Sequence, residues 1–320
     1  MSNNDRALEI LYRITRGEEI SVKKLAAERG VSIKSVSRDV ARIKDFLAEN
    51  RDLTGQAELA YCYAQKAYRL TSDEFLTDKE LFAIAKALLG TRAFPKEKVE
   101  DLIAKFKRFT APGDRKKLER IVGKELLHYS EIKHDASVID NLWRLINVIY
   151  DKKEITILYR KVDRSLTQKR IQPVSLIFTE YYFYLIAYYP GKYKEPRYFR
   201  VDRIREITEH RQGFEPGGAP DFDEGLLRRR SQFMFYGPLR KIRFAFMGRS
   251  VQAILDRLPT ARIVGGKRGE YIIEAETHGD GIKMFLLSQG AGVKVLEPPE
   301  LAAAMKKEIG GMGGLYDGYG

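Results

Sequence analysis

Apolar residues between positions 21 and 47, SVKKLAAERGVSIKSVSRDVARIKDFL, recur at the spacing of amphipathic helices. The pattern predicts two short helices joined by a tight turn, with a supporting helix upstream over about residues 5–16. Ser21 and Ser32 are suitable N-caps, and Gly30 is suited to end the first helix of the pair. The second helix has an apolar stripe made of Ile33, Val36, Val40, Ile43 and Leu47.

The opposite side of the second helix is small, hydroxylic and basic, which suits the base edges and phosphates of a DNA major groove. A tyrosine-rich segment after it, AELAYCYAQKAYRLT, alternates and predicts a two-stranded hairpin. We therefore predict a winged helix-turn-helix. Its predicted DNA contacts are Ser32, Lys34, Ser35, Ser37, Arg38, Arg42 and, in the hairpin, Lys66. The alternative is an ordinary three-helix bundle with a solvated hairpin, because such bundles show the same stripes.

The middle of the chain is predicted to be helical. Thr77 and Glu80 form a capping-box pattern, and the helical region continues to about residue 128 with breaks at Gly90, Pro95 and the Ala111–Pro112–Gly113 turn. We interpret this region as a connector and a dimer surface. A further helix over residues 137–150 contains Trp143, which we expect to be a packing anchor.

Short β-branched and aromatic segments follow, over residues 155–160, 169–178, 181–189 and 197–204. Strands this short and closely spaced predict a small, strongly bent barrel. After a Gly/Pro-rich linker, the last segments predict a ferredoxin-like β-α-β-β-α-β sandwich.

The predicted fold class is therefore α+β, in several domains. The predicted boundaries are a DNA-binding domain at 1–73, the helical connector at 74–136, the barrel domain at 137–211, a linker at 212–238, the C-terminal α+β domain at 239–310 and a disordered tail at 311–320.

The composition indicates that the protein favours polyanionic partners. It has 57 Lys and Arg residues and 44 Asp and Glu residues, which give a net charge of +13. The single cysteine, Cys62, allows neither an intramolecular disulfide nor a cysteine-based metal site. The N-terminus has no apolar signal region and no run reaches the ~18 apolar residues of a membrane span, so we expect a cytoplasmic protein. The four histidines lack metal-ligand spacing and no nucleophile motif is present. We expect no enzymatic activity, no metal and no cofactor.

Residues 172–204 carry a family resemblance. The triplet Phe183-Tyr184-Leu185 is preceded by Pro173-Val-Ser-Leu, followed by Ala187-Tyr, and closed by Arg197-Tyr-Phe-Arg-Val-Asp-Arg-Ile. This pattern resembles the WYL-domain transcriptional regulators, with Phe183 in place of the family's Trp. The Ser37-Arg38-Asp39-Val40 segment resembles part of the family's usual N-terminal winged helix. Leu286, Leu287, Gly290 and residues 293–298 resemble its C-terminal (WCX) extension.

The resemblance implies an Sm-like barrel that senses a nucleotide or nucleic acid, usually in a homodimer. Some bacterial relatives repress phage-defence operons. The predicted ligand-binding residues are Tyr159, Arg170, Tyr182, Tyr184, Arg197, Arg200 and Arg203, because guanidinium groups bind phosphate bidentately and tyrosine rings stack on bases. Strand alternation places Arg197 and Phe199 on one face and Arg200 on the other. The alternative is that Arg200–Asp202 and Arg203–Glu206 are surface ion pairs and that the tyrosines are barrel core.

The predicted function is that of a ligand-responsive transcriptional repressor, which binds a pseudo-palindromic duplex operator as a homodimer. One alternative is a non-specific binder of single-stranded DNA or RNA that uses the barrel as its platform. Another is a nucleotide-processing enzyme. The operator, the effector and the sign of regulation cannot be read from the sequence.

Overall fold

A computed structural model of the protein describes residues 3–72, 77–107, 112–133, 137–214, 223–231 and 237–317. The chain divides into two compact units, Met1–Lys133 and His134–Gly320. Both units mix helices with antiparallel sheets. No helix within the described ranges is long and apolar enough to cross a membrane.

The first unit begins with the predicted helices and hairpin. Its elements are α1 (Asn3–Thr15), α2 (Val22–Arg29), α3 (Ile33–Glu49), the single turn α4 (Arg51–Thr54), β1 (Glu58–Cys62) and β2 (Ala67–Thr71). Ser32 caps α3 as predicted, because its hydroxyl oxygen accepts a hydrogen bond from the Ser35 N–H at 3.1 Å. Gly30 ends α2 in the left-handed conformation, with φ of 61°. Ser21 precedes α2 in an extended conformation, but its side chain makes no capping hydrogen bond, contrary to prediction.

The apolar stripe of α3 faces a core shared with α1, α2 and β1. Val36, Val40, Ile43 and Leu47 are buried there. The prediction for Ile33 is wrong: this first residue of α3 is 54% exposed, so the buried stripe begins at Val36. Burial of each large apolar side chain contributes about 1.5–3 kcal/mol to the stability of this helical unit.

The β1–β2 hairpin pairs from Glu58 opposite Thr71 to Cys62 opposite Ala67. The segment between α1 and α2 joins this hairpin through a single bridge. In that bridge Ile20 and Tyr68 exchange two backbone hydrogen bonds of 2.8 Å. The hairpin therefore extends the core of the three helices on one side.

Three further helices follow in the described part of the first unit: α5 (Asp78–Thr91), α6 (Lys96–Lys107) and α7 (Pro112–Leu127). Thr77 and Glu80 form the predicted capping box. The predicted break at Gly90 comes slightly later in the structure, because α5 continues to Thr91 and is capped by Arg92 in the left-handed conformation. The helices share a small core made of Ala85, Leu89, Val99, Ile103 and Val122.

The second unit opens with one helix and one antiparallel sheet. The elements are α8 (Val138–Tyr150), β3 (Lys153–Arg160), β4 (Leu166–Thr179), β5 (Tyr182–Tyr189), β6 (Lys192–Arg200) and β7 (Ile204–Gly213), and the strand order is β6-β5-β4-β3-β7. The predicted strand over 197–204 is wrong in extent: β6 ends at Arg200, and a 3-10 turn over Val201–Arg203 leads into β7. Sequence reading missed β7 because only Ile204 and Ile207 among its largely polar residues are buried apolar positions.

Helix α8 packs against this sheet through Leu145 and Val148, which are buried. The Asn141 amide donates to the Ile204 carbonyl at 3.0 Å, which fixes the helix on β7. Trp143 is not the predicted packing anchor, because its side chain is 69% exposed on the far side of α8. The helix buries a different stripe from the one that carries its largest ring.

The remaining elements are α9 (Glu224–Arg230), β8 (Leu239–Phe246), α10 (Val251–Arg257), β9 (Arg262–Lys267), β10 (Glu270–His278), α11 (Gly281–Ser288), β11 (Val293–Glu297) and α12 (Pro299–Gly314). From β8 onward they follow the predicted β-α-β-β-α-β order, with strand order β11-β8-β10-β9. Helices α10, α11 and α12 cover one face of this sheet around Phe244 and Leu286.

Two predicted irregular segments differ from the structure. The predicted linker at 212–238 contains α9, which is capped by Asp223; residues 215–222 and 232–236 of that linker lie outside the described residues. The predicted disordered tail at 311–320 begins as the last turn of α12, which reaches Gly314, and residues 318–320 lie outside the described part of the chain.

Candidate nucleic-acid interface and ligand site

The outward face of α3 carries a row of cations. Lys34, Arg38 and Arg42 follow one another at steps of four residues, all three are exposed, and none has a hydrogen-bond or ion-pair partner within the described residues. Like charges at this spacing destabilise an isolated helix by about 0.2–0.5 kcal/mol per pair. An anionic partner such as DNA would remove this repulsion, because its phosphates would neutralise the three positive charges.

The other predicted DNA contacts surround this row. Ser37 is exposed on the same helix, while the hydroxyls of Ser32 and Ser35 are 2.9 Å apart and belong to the N-terminal cap of α3. Lys66 lies exposed in the β1–β2 turn with a positive φ of 49°. Cation–π contact between Lys44 and the Tyr68 ring, 4.7 Å from nitrogen to centroid, joins α3 to the hairpin that carries Lys66.

A buried ion pair holds α3 from its inner side. The Arg6 Nε donates to the Asp39 Oδ2 at 2.5 Å. Only 4% and 2% of the two side chains are exposed. Sequence reading missed this pair, because a helix period alone does not show that Asp39 meets a cation from α1.

The second candidate site lies at the end of β6. The Arg200 guanidinium forms a bidentate pair with Asp202, with Nε–Oδ1 and Nη2–Oδ2 distances of 3.0 and 2.7 Å. Its Cζ lies 3.4 Å from the centroid of the Tyr182 ring. Tyr182 in turn contacts Tyr184 edge to face, and the Tyr159 hydroxyl accepts a hydrogen bond from the Arg200 N–H at 3.2 Å. Four of the seven predicted ligand residues therefore meet here.

Burial and charge alter the acid–base properties of this group. Burial lowers the pKa of Arg200, but its hydrogen bonds to Asp202 and the charge of Asp202 outweigh that effect, so the pKa is raised. Burial raises the pKa of Tyr184, and the neighbouring Arg200 charge offsets part of this rise. Arg200 and Tyr184 are thus a permanent cation and a neutral phenol at physiological pH.

The alternative prediction for this site was that Arg200 and Asp202 form a surface ion pair and bind no ligand. The pair exists, but it is not a surface pair, because Asp202 is 3% exposed. The pair uses Nε and one Nη2 hydrogen of Arg200, so its remaining N–H donors are available to an anion.

Four arginines form a second basic group, two of them from the β3–β4 segment and two from the chain just after Asp202. We call this group the arginine rim; its members are Arg160, Arg164, Arg203 and Arg205. Burial lowers the pKa of Arg160, and the positive charges of the other three lower it further. Arg203 and Tyr159 also line a depression of about 530 Å³ on the β3–β4 turn. Sequence analysis identified Arg203 but missed the other three rim arginines. Their close spacing in two short segments, 160–164 and 203–205, could have pointed to them.

The two remaining predicted ligand residues are placed differently. Arg170 Nε donates to Glu154, a buried carboxylate that also accepts from Gln172 Nε2 at 3.1 Å. Arg197 is exposed on β6, on the strand face of Phe199 rather than that of Arg200, as alternation predicted. Arg170 is therefore already paired, and Arg197 faces away from the Tyr182 ring.

The triplet Phe183-Tyr184-Leu185 has a clear division of roles. Leu185 is fully buried and Phe183 packs on the same core, with its ring centroid 4.8 Å from that of Phe178. Tyr184 lies between them in the strand and faces the other side, where it pairs across the sheet with Arg200. The outer two residues stabilise the sheet and the central one belongs to the candidate site.

Family models match two parts of the second unit: the WYL domain matches residues 140–209, from α8 into β7, and the WCX domain matches residues 238–313, from β8 into α12. The chain therefore contains a WYL domain and a WCX domain. The candidate site around Arg200 thus lies in the WYL domain, and the β-α-β-β-α-β sheet is its WCX domain.

Two solved structures resemble this WYL protein at low identity. Proteasome accessory factor B/C (PafBC) of Arthrobacter aurescens is 14% identical, with a TM-score of 0.29 over 95% of this chain and 47% of that chain. A protein described as CRISPR Cas-related is 14% identical, with a TM-score of 0.39 over 93% of each chain. The chain therefore spans about half the length of PafBC.

Proposed function

We propose that this WYL protein is a ligand-responsive transcriptional repressor that binds duplex DNA through α3. The observation that carries the proposal is the row of cations on α3 that have no partner within the described residues. Their helix is held on its inner side by the buried Arg6–Asp39 pair. The order helix, bridging strand, two helices and hairpin supports a winged helix-turn-helix. In this arrangement α3 enters the major groove and Lys66 contacts a flanking phosphate.

The proposed active form is a homodimer. A two-fold axis would place two copies of α3 about 34–36 Å apart along the duplex, so that the operator is a pseudo-palindrome. The cationic row of each copy would neutralise phosphates, and the overall charge of +13 would speed association with DNA.

The proposed effector is a nucleotide or oligonucleotide bound by the WYL domain. A helix followed by five antiparallel strands in the order β6-β5-β4-β3-β7 supports an Sm-like barrel. The guanidinium groups of Arg200 and of the arginine rim would bind phosphate, and the tyrosine rings would contact a base. Such a ligand regulates DNA binding only if it binds one arrangement of the protein more tightly than the other.

The decisive experiment is selection of duplex fragments from a random pool by the purified full-length protein. We expect enrichment of one pseudo-palindromic sequence, retained in the presence of excess random single strands. Enrichment of single strands in place of a duplex site would favour the non-specific single-strand binder. We propose no enzymatic role, and turnover of nucleotides by the same preparation would contradict that part of the proposal.

A further inference from the structure

A second basic cavity lies between α9 and the sheet of the WCX domain, and none of its lining residues belongs to the sites assigned above. It has a volume of about 270 Å³ and is bounded by α9 on one side and by the outer faces of β8, β9 and β10 on the other. The cationic residues in its lining are Arg229, Arg230, Lys241 and Arg262. The lining carboxylates are Glu274 and Glu276.

Glu274 organises the sheet side of this cavity. Its side chain is 6% exposed, and its Oε1 accepts from Arg262 Nη2 at 2.5 Å while its Oε2 accepts from Lys241 Nζ at 3.0 Å. Arg243 Nη2 contacts the same Oε2 at 3.2 Å. One carboxylate therefore holds three cations in place. Arg243 has a second partner in Glu297, at 3.1 Å, whereas Lys241 and Arg262 have no other carboxylate partner among the described residues.

The helix side of the cavity has donors without acceptors. Arg230 pairs with Glu276 through Nη2 at 2.7 Å, but its Nε is buried and has no hydrogen-bond partner among the described residues. Arg229 lines the cavity and has no hydrogen bond or ion pair within the described part of the chain. A buried donor without an acceptor is unfavourable, which favours binding of an acceptor here.

We propose that this cavity binds a small phosphate monoester. Its lining charge of four cations against two carboxylates matches a phosphate dianion. Arginines from two different elements provide the fork geometry that phosphate oxygens accept bidentately. At about 270 Å³ the cavity lies just below the size of common ligand pockets, about 300–1,000 Å³, so it suits a small ligand such as a phosphorylated sugar and not a long strand.

Binding there would connect the two domains of the second unit. On its other side α9 packs Leu227 against Ile177 and Ile186 of the WYL sheet, and Glu224 accepts from Ser175 at 2.5 Å. A phosphate held between Arg229 on α9 and Arg262 on β9 would fix this helix to the WCX sheet. The site therefore offers a second input, independent of the Arg200 site.

The test is isothermal titration of the full-length protein with inorganic phosphate, ribose 5-phosphate and unphosphorylated ribose. We expect the two phosphates to bind and ribose not to bind. Arg229→Gln should weaken ribose 5-phosphate binding at least tenfold and leave the fold intact, because Arg229 has no hydrogen bond or ion pair among the described residues. Arg262→Gln should weaken it similarly. The matched control is Arg268→Gln, in the β9–β10 turn outside the cavity, which should change nothing.

Several results would overturn the proposal: no phosphate binding, equal binding of ribose, or an equal effect of Arg229→Gln and Arg268→Gln. A 5′-phosphorylated trinucleotide serves as an additional ligand. If the trinucleotide binds more tightly than ribose 5-phosphate, the phosphate comes from the end of a nucleic-acid strand. If it binds more weakly, the ligand is a free phosphorylated metabolite. This titration does not measure DNA binding, so its failure would leave the repressor proposal unaffected. Failure of the operator selection would likewise leave the phosphate site unaffected.

Discussion

Arg6 on α1 and Asp39 on α3 form an ion pair that is almost completely removed from water, with 4% and 2% of their side chains exposed. The pair sits on the inner side of α3, and the row of exposed cations lies on its outer side. It therefore fixes the orientation in which α3 presents Lys34, Arg38 and Arg42.

Removal of one partner of this pair should be strongly destabilising. We expect Asp39→Ala to lower the free energy of unfolding by about 3–5 kcal/mol, because it leaves the Arg6 charge buried without compensation. The double variant Arg6→Met, Asp39→Leu should cost far less, since no charge then remains in the core. Urea unfolding of both variants gives the comparison, and equal costs would mean that packing and not charge explains the effect.

Arg38 should contribute directly to DNA affinity. We expect Arg38→Ala to weaken binding to the selected operator by about 1–3 kcal/mol without a change in unfolding free energy, because the side chain is exposed. Gel-shift titration at several salt concentrations measures both the affinity and its salt slope. Arg268→Ala, which removes the same charge elsewhere, is the control. Unchanged affinity in a folded Arg38→Ala protein would refute the assignment of α3.

Arg200 should be needed for the response to the effector but not for DNA binding itself. We expect Arg200→Ala to retain operator affinity and to lose operator release by nucleotides or short single strands. The readout is fluorescence anisotropy of a labelled operator. Arg200→Lys keeps the charge beside buried Asp202 but loses the planar fork, so release should be reduced and stability kept. If release persists in Arg200→Ala, the effector binds elsewhere.

Glu274 should contribute an acid-sensitive part of the stability of the WCX domain. Hydrogen bonds from Arg262 and Lys241 lower its pKa from 4.5 to about 2. A carboxylate with a lowered folded-state pKa stabilises fully above its unfolded pKa, and this stability is lost as the pH falls from 4.5 towards 2. We expect the urea midpoint of the wild type to fall more steeply across this range than that of Glu274→Gln. Parallel curves would contradict the prediction.

Features that depend on neighbouring residues in the chain were predicted well. The Ser32 cap, the Gly30 terminus, the Thr77–Glu80 capping box and the β-α-β-β-α-β order all appear in the structure. Each depends on hydrogen bonds or periodic burial within a few residues, and such interactions leave a local pattern. The same holds for the alternation that separates Arg197 from Arg200.

By itself, then, the sequence determined the types of most elements, the cationic outer face of α3 and the likeness to WYL regulators. Only the tertiary structure decided which charges are paired and which rings are exposed. Asp39 is buried because Arg6 reaches it from 33 residues away, Arg170 is committed to Glu154, and Trp143 is exposed because another stripe of α8 meets the sheet. Residue type and period do not contain this information, since it depends on partners that only folding brings into contact.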